Sequence, residues 1–488
     1  MGTMAIIGGG FSGVVTAKIA KECGIEPVIF EKRFSVGGVW EPAEGLAWDS
    51  MRTNISHYTC MFSDFAWKPH VDDFPTEREV FAYLKDYMKE FDLHKYVRLN
   101  ANVEKVFKIN DRWKVQWQEG ERLFDFVVIA SGFFAEPVIP QFPGMENFKG
   151  RITLAKGYKN PENFQGKEVV ILGNAFSGCE IAAEVSTVAK RTLHIASKSK
   201  WVLPKYLKAK DSECELPGDL VYYSRAAHLR NLGVPAEQLN QRKNGWFADI
   251  CKEQQQIPEL KVTSDSKEPP YIAISDGYVE NVKNKRVEFI PGGIEIFKTD
   301  GVVLRDGSHI QADEVILCTG YKPDLPFLDQ AVLNSIDYLP DDKFLPLLLH
   351  KTVFPKDHSG LAFVGMYRGP FLGVMELQAR YACMAFSRKI PLPTAEEIQA
   401  GIAEEQKIRD LFPKPQFPHG DYVGLCEDIA RQIKVAPDLE ALKQSDPPLH
   451  KQLLEGPFTV ASYRLTGFGS KPELALRLIK QINGASSS

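Results

Sequence analysis

The chain has 488 residues, 44% of them hydrophobic and 25% charged, with a net charge of -4; this length exceeds one compact core and points to two or three domains. Usage so close to that of ordinary globular proteins excludes a largely disordered chain, and the slight acidity argues against nucleic acid as the main partner. No run reaches the roughly 20 apolar residues of a membrane span, no basic residue precedes the N-terminal apolar stretch as in a signal peptide, and the eight cysteines contain no C-x-x-C pair, so neither a dithiol centre nor a zinc site is expected.

In chain order, residues 4–7 predict a buried strand, the run Gly8-Gly9-Gly10-Phe11-Ser12-Gly13 a tight turn opening a helix to about Cys23, and residues 27–30 a second strand ending at Glu31. An amphipathic helix is predicted over 79–93, and a buried strand over 127–130 that runs into the turn Ser131-Gly132. The Pro- and Gly-rich stretch 135–147 reads as a boundary. The opening pattern then recurs: a strand at 168–172, the turn Gly173-Asn174-Ala175-Phe176-Ser177-Gly178, a helix through about Ala189, and a strand at 192–196. Residues 205–300 read as an insertion of mixed structure. A strand at 315–317 runs into Cys318-Thr319-Gly320, repeating the pattern at 127–132. From about 375 the chain is mostly helical and polar-faced, with a loop at 411–420 and a flexible tail from Gly484 to Ser488.

Each β-α-β unit has the grammar of a dinucleotide site. The first glycine permits the turn, the second lets backbone approach a pyrophosphate, and the third lets the helix pack on the strand. The helix N-terminus offers its unpaired N–H groups to the phosphates. Gly8, Gly10 and Gly13 precede Glu31 by the spacing of a ribose-binding acid, which marks the first unit as the FAD site. The second unit has Ala175 at the middle glycine position, where its methyl crowds the pyrophosphate, and Ser197-Lys198 where the acid should be. A hydroxyl and an ammonium there favour a 2′-phosphate that a carboxylate would repel, and Arg191, Lys200 and Lys205 add positive charge nearby. The second unit is therefore the expected NADPH site. The predicted fold is α/β, with two Rossmann-like dinucleotide-binding domains and a mostly helical C-terminal extension. The FAD domain begins with residues 1–150, is interrupted by an NADPH domain over 151–322, and is completed by 323–488.

At this point the residues resemble the flavin-containing monooxygenase family along most of the chain. Phe30-Glu31-Lys32 and Gly37-Gly38-Val39-Trp40 are similar to its FAD-binding strand and the loop beyond; Thr53-Asn54 matches its active-site pair. Leu317-Cys318-Thr319-Gly320-Tyr321 resembles its inter-domain linker, and Glu376-Leu377-Gln378-Ala379-Arg380 a helix that returns to the flavin. The tract from Phe417 to Leu425 is similar to soluble members. One departure stands out. The identifying run begins with Phe148-Lys149-Gly150 and places Tyr158 correctly, but Leu154 occupies its histidine position.

The resemblance implies that NADPH reduces FAD, that reduced flavin and dioxygen form a flavin hydroperoxide, and that its oxygen passes to a small-molecule nucleophile, an amine or a sulfide. The cofactor carries the hard chemistry, and the protein orients the nicotinamide and excludes water. Asn54 is the expected catalytic residue, because its amide both donates and accepts; Gln378 either touches the flavin or caps a helix. Tyr58, Phe62, Phe65 and Trp67 are candidates for an access channel or plain core. Baeyer–Villiger oxidation and N-hydroxylation are the competing reactions, and an FAD-binding redox sensor without turnover is the competing class, supported by Leu154 and Ala175. Further expectations are a cytoplasmic location with reduced thiols, no C-terminal membrane anchor of the vertebrate kind, and a homodimer as the family suggests.

Overall fold

The computed structural model describes residues 2–208, 214–369 and 371–485. Its first sheet has five parallel strands in the order Leu361–Phe363, Phe126–Ile129, Thr3–Ile7, Glu26–Phe30 and Val97–Arg98. Side chains alternate across a strand. Met4 and Ile6 accordingly face a core shared with the helices Phe11–Glu22 and Leu372–Phe386. Ala5 and Ile7 face a second core, filled by Val106, Trp113, Val115 and Phe124. These four come from an antiparallel meander of Val103–Ile109, Arg112–Trp117 and Gly120–Phe124. With both faces covered, Met4 to Ile7 of the central strand are all apolar and buried, and this run is continuously hydrophobic instead of alternating.

The second sheet repeats this plan with five parallel strands in the order Val287–Pro291, Arg191–Ala196, Glu168–Leu172, Glu314–Leu317 and Arg151–Leu154. Val169 and Ile171 pack on Cys179, Ile181 and Ala182 of the helix Phe176–Val185. Val170, Leu193 and Ile195 pack on a meander of Ile294–Lys298, Gly301–Leu304 and His309–Gln311. The tract 205–300 is therefore not wholly an insertion, because Val287–Pro291 is an edge strand of this sheet. The helix expected through Ala189 stops at Val185, where the chain turns and the Lys190 N–H bonds the Lys167 carbonyl. In both sheets the chain leaves the central strand on one side and returns on the other. The switch points lie at the C-terminal ends of Thr3–Ile7 and of Glu168–Leu172, where open α/β sheets hold ligands.

Beyond the first sheet's last strand come the helices Leu372–Phe386, Ala395–Arg409, Tyr422–Gln432, Leu439–Ser445, Pro447–Glu455 and Pro472–Ala485. The last includes Gly484, so the expected flexible tail starts inside a helix, and residues 486–488 of that tail lie outside the described residues. This region is fastened by a buried ion cluster. Arg464 bonds Asp64 at 3.0 Å and Glu376 at 2.8 Å, Lys18 also bonds Asp64, and Arg380 stands 3.9 Å from Glu376. All five residues are at most 3% exposed. Removing one partner from such a cluster costs about 3–5 kcal/mol, because it strands a buried charge. The C-terminal region is thus bound into the first sheet's core.

Candidate active site

At the first turn Gly8 has φ +115°, and a Cβ on Gly13 would come 1.9 Å from the Gly8 carbonyl oxygen. Only glycine lets this helix seat on this strand. Gly10 caps Phe11–Glu22 without a side-chain hydrogen bond, which leaves the N–H groups of Phe11, Ser12 and their neighbours to face the switch point. A Cβ on Gly38 would lie 3.1 Å from the Gly10 Cα, so a second glycine-bearing turn abuts the first. Glu31 is buried, and its carboxylate accepts from the Gly9 N–H at 2.7 Å and the Arg33 N–H at 2.9 Å. It braces the turn from within. Lys32 and Val39 are exposed, while Trp40 packs on the core.

Gln378 is fully buried and belongs to that brace. Its oxygen accepts from the Gly365 N–H at 2.8 Å, and its amide nitrogen donates to the Thr352 hydroxyl at 2.8 Å. Gly365, which sequence reasoning missed, has φ +73° and would carry a Cβ 2.0 Å from the Ser12 hydroxyl. Both ends of the Gln378 amide are taken, and it reaches the turn only through Gly365.

The loop carrying Thr53 and Asn54 is held from elsewhere in the chain. The Thr53 N–H bonds the Pro75 carbonyl, whereas its buried hydroxyl has no partner among the described residues; Asn54 is half-buried. Downstream, one carboxylate gathers three donors. Asp219 accepts from the Ser56 N–H at 3.0 Å, the Ser56 hydroxyl at 2.6 Å and the Thr59 hydroxyl at 2.6 Å. Burial still raises its carboxyl above the ordinary value despite these donors. Nothing in the sequence marks Asp219, since Pro217-Gly218-Asp219 reads as a turn. The aromatic residues beyond are core: Phe62 lies 5.9 Å from Phe11 and 4.7 Å from Tyr87, Phe65 5.3 Å from Tyr83, and Trp67 4.3 Å from Tyr83. The Tyr58 and His57 ring centroids lie 3.9 Å apart with the rings tilted by 34°.

At the second turn Gly173 has φ +103°, and a Cβ on Gly178 would meet the Gly173 oxygen at 1.7 Å. Ala175 caps the helix Phe176–Val185 in extended backbone that any residue adopts, without a side-chain cap. A cavity of about 390 Å³ opens here, lined by Gly173, Asn174, Ala175, Ser197 and the linker residues Thr319, Gly320 and Tyr321. Its charged walls are Lys200, Arg305, Lys343 and Arg368, and no carboxylate of the described residues lines it. The expected cations fare unequally. The Lys198 ammonium reaches out to Glu268 at 3.6 Å, and its carbonyl accepts from the Asn174 amide at 2.7 Å. Arg191 pairs with Glu288 at 2.7 Å, and Lys205 lies over the Phe74 ring. Lys200 alone of the four lines the cavity. Burial pushes its ammonium down to about 8, with Arg368 and Lys198 adding to the effect. Arg305, Lys343 and Arg368 were missed because they lie far from the motif in sequence.

Phe176 and Ser177 form the first helical turn and are half-buried, Phe176 lying 6.2 Å from Phe417. Tyr321–Lys322 pairs antiparallel with Glu136–Pro137, forming a connection between the sheets. Leu154 ends the edge strand Arg151–Leu154 and packs against the second meander's core. Tyr158 donates to Glu184 at 2.7 Å, and Glu184 also accepts from the Trp48 indole at 3.1 Å. That contact joins the segment before Thr53 to the helix of the second turn.

Two glycine turns, each under an uncapped helix at a switch point, make two dinucleotide-type sites, the plan of an oxidoreductase that uses a flavin and a nicotinamide cofactor. The unpartnered Thr53 hydroxyl and the acid-free cationic cavity fit those two cofactors. The model of flavin-binding monooxygenase-like proteins matches residues 2–481, and the chain belongs to that family. Human flavin-containing monooxygenase 5 is 31% identical over 503 residues, covering 96% of this chain and 89% of the relative. The garlic (Allium sativum) S-allyl-L-cysteine S-oxygenase shares the fold with a TM-score of 0.65 at 22% identity, over 99% of both chains. A mutant cyclohexanone monooxygenase from Rhodococcus sp. Phi1, bound to NADP+, also scores 0.65 at 17% identity, over 88% of this chain and 97% of the other. The chain is an FAD- and NADPH-dependent monooxygenase. Among the described residues no helix is long and apolar enough to cross a membrane.

Proposed function

We propose that this enzyme oxygenates the nitrogen or sulfur of a small amine or sulfide, at the expense of NADPH and dioxygen. In this reading FAD lies on Gly8, Gly10, Phe11, Ser12 and Gly13 with Gly38, and NADPH lies in the cavity beside Asn174, Ser197 and Lys200. The division of the chain at 150 and 322 follows from the same assignment. The cavity, with four cations and no acid among its described lining residues, supports it most directly, because NADPH brings a pyrophosphate and a 2′-phosphate. Bound FAD, once reduced, supplies the activation of dioxygen. The chain's own residues bind, orient and keep water out. The Thr53 hydroxyl offers an unused donor and acceptor, and the Asn54 amide beside it holds a polar group in either sense. Asp219 and Glu376 fix the loop that presents them, Glu376 through the Ser63 N–H at 2.6 Å.

The test is turnover of the FAD-loaded protein with NADPH and a panel of amines, sulfides and ketones, reading product, NADPH consumed and hydrogen peroxide. N- or S-oxides formed nearly one per NADPH would support the reading, and Asn54→Ala should then divert most of the NADPH to peroxide at unchanged FAD content. Esters or lactones from ketones alone would replace it with the Baeyer–Villiger reaction, whose neighbour has the same TM-score as the S-oxygenase. No NADPH oxidation under any condition would favour a sensor.

A further inference from the structure

The nucleotide cavity has two walls of different origin. Ser197, Lys200 and Arg305 belong to the second sheet and its meander, whereas Lys343, Phe344, Arg368 and Gln416 come from the chain that returns to the first sheet. Arg368 follows Gly365, the residue held by Gln378 against Ser12. It is thereby tied to the first turn while lining the second site.

The Arg368 guanidinium is set but incompletely used. One terminal nitrogen donates to the Lys343 carbonyl at 2.8 Å, and the plane lies 5.0 Å from the Phe344 ring centroid. Among the described residues its buried Nε–H has no partner, and the guanidinium takes part in no ion pair with a carboxylate. A buried donor left open in a native site calls for a ligand, and a guanidinium fork suits an oxyanion. Its neighbours say which one. Lys200 feels Arg368 as an adjacent positive charge, and the Tyr271 hydroxyl feels Arg368 directly. The Lys200 and Lys198 ammonium groups lie 5.5 and 5.8 Å from the Tyr271 ring centroid. Ser197 and Lys200 follow the second strand of the β-α-β unit, where such units hold the adenosine ribose, whereas the pyrophosphate belongs at the helix N-terminus. The acids nearby are engaged elsewhere: Glu268 pairs with Lys198 at 3.6 Å, and Asp342 pairs with Lys414.

We propose that Arg368 reaches across the cleft to the 2′-phosphate of NADPH, closing with Ser197 and Lys200 a cage beside Tyr271. The inference rests on the reading that NADPH occupies this cavity. A dianionic phosphate then bridges the two sheets, and choice of NADPH over NADH depends on a residue that the second sheet does not supply.

The experiment is calorimetric titration of the FAD-loaded protein with NADP+, NAD+, 2′,5′-ADP and 5′-AMP. Arg368→Gln should weaken NADP+ and 2′,5′-ADP at least tenfold and leave NAD+ and 5′-AMP unchanged, with FAD content as the check on folding. Arg368→Lys should recover part of the loss. Equal loss for phosphorylated and unphosphorylated ligands, or no loss, overturns the proposal. Lys200→Met separates the two failures. If it discriminates among the ligands and Arg368→Gln does not, the cavity assignment stands and the role across the cleft falls. If wild-type protein itself binds NADP+ no more tightly than NAD+, both fall.

Discussion

Lys200 allows the NADPH assignment to be tested by pH alone. Burial places its ammonium at about 8, against 10.5 for a free lysine. A phosphate monoester has its second pKa near 6, so the 2′-phosphate stays dianionic from pH 7 upward and only the lysine titrates there. Its protonated fraction falls from about 0.9 at pH 7 to about 0.1 at pH 9, so the NADP+ dissociation constant should weaken about tenfold, while that of NAD+ stays flat. A bound dianion raises the lysine again, so NADP+ binding at pH 8.5 should take up protons, read as a heat that depends on the ionisation enthalpy of the buffer. Lys200→Arg should keep affinity and flatten the profile; Lys200→Met should bind at pH 7 no better than wild type at pH 9. The stability of the nucleotide-free protein has its own sign. The unfolded lysine holds its proton to higher pH, so stability should rise between about 8 and 10.5, by at most about 3 kcal/mol before solvent screening is discounted. A flat NADP+ profile from pH 7 to 9, or a slope that persists in Lys200→Arg, would refute the reasoning.

The two glycine turns can be separated by one methyl each. Gly13→Ala drives a Cβ into the Gly8 carbonyl and Gly178→Ala drives one into the Gly173 carbonyl; the first should yield protein purified without FAD, the second FAD-loaded protein with NADP+ affinity reduced at least tenfold. The reverse pattern in the flavin absorbance and the titration would exchange the two cofactors. Asp219→Ala should destabilise by about 2–4 kcal/mol, since it strands the Ser56 N–H and two hydroxyls in the interior. Asp219→Asn, which keeps the shape and one acceptor, should cost about 1 kcal/mol and still lower product formed per NADPH; unchanged coupling in that variant would make Asp219 a purely structural anchor. Because burial raises the Asp219 carboxyl, its contribution to stability should fall as pH rises from the unfolded carboxyl value to the folded one, and Asp219→Asn should remove that slope from thermal unfolding curves.

What the sequence made legible was local. Continuous apolar runs at 4–7, 169–172 and 315–317 announce strands covered on both faces, and glycines at fixed offsets announce the turns, because a single Cβ there has nowhere to go. The three-stranded meanders went unseen: residues such as Trp113 and Val302 are individually apolar, but their partners are set by the parallel sheet beneath. Cations were legible only as composition. Lys198 and Lys200 are two residues apart and their ammonium groups are alike in sequence, yet one reaches out to Glu268 and the other lines the cavity. That difference comes from the fold of the 205–300 tract, which sets Glu268 beside Lys198 and which no motif names.

Under the proposed assignment, the same contrast explains how two nearly identical turns would take different cofactors. At the first, a carboxylate occupies the end of the second strand and closes inward on the Gly9 N–H, so a ribose with free hydroxyls is tolerated and a further phosphate is repelled. At the second, the Asn174 amide ties the turn to the Lys198 carbonyl instead. The brace is neutral, and the charge is left to side chains that point into the cavity. In that assignment selectivity would be carried by the sign of the group after the second strand and by the proposed contact across the cleft, while the glycines supply only the cradle. The segment following Thr53 and Asn54 is anchored by Asp219 at Ser56 and by Glu376 at Ser63. Its geometry therefore depends on both halves of the molecule being closed on each other, which is the condition under which water is kept from the reacting oxygen.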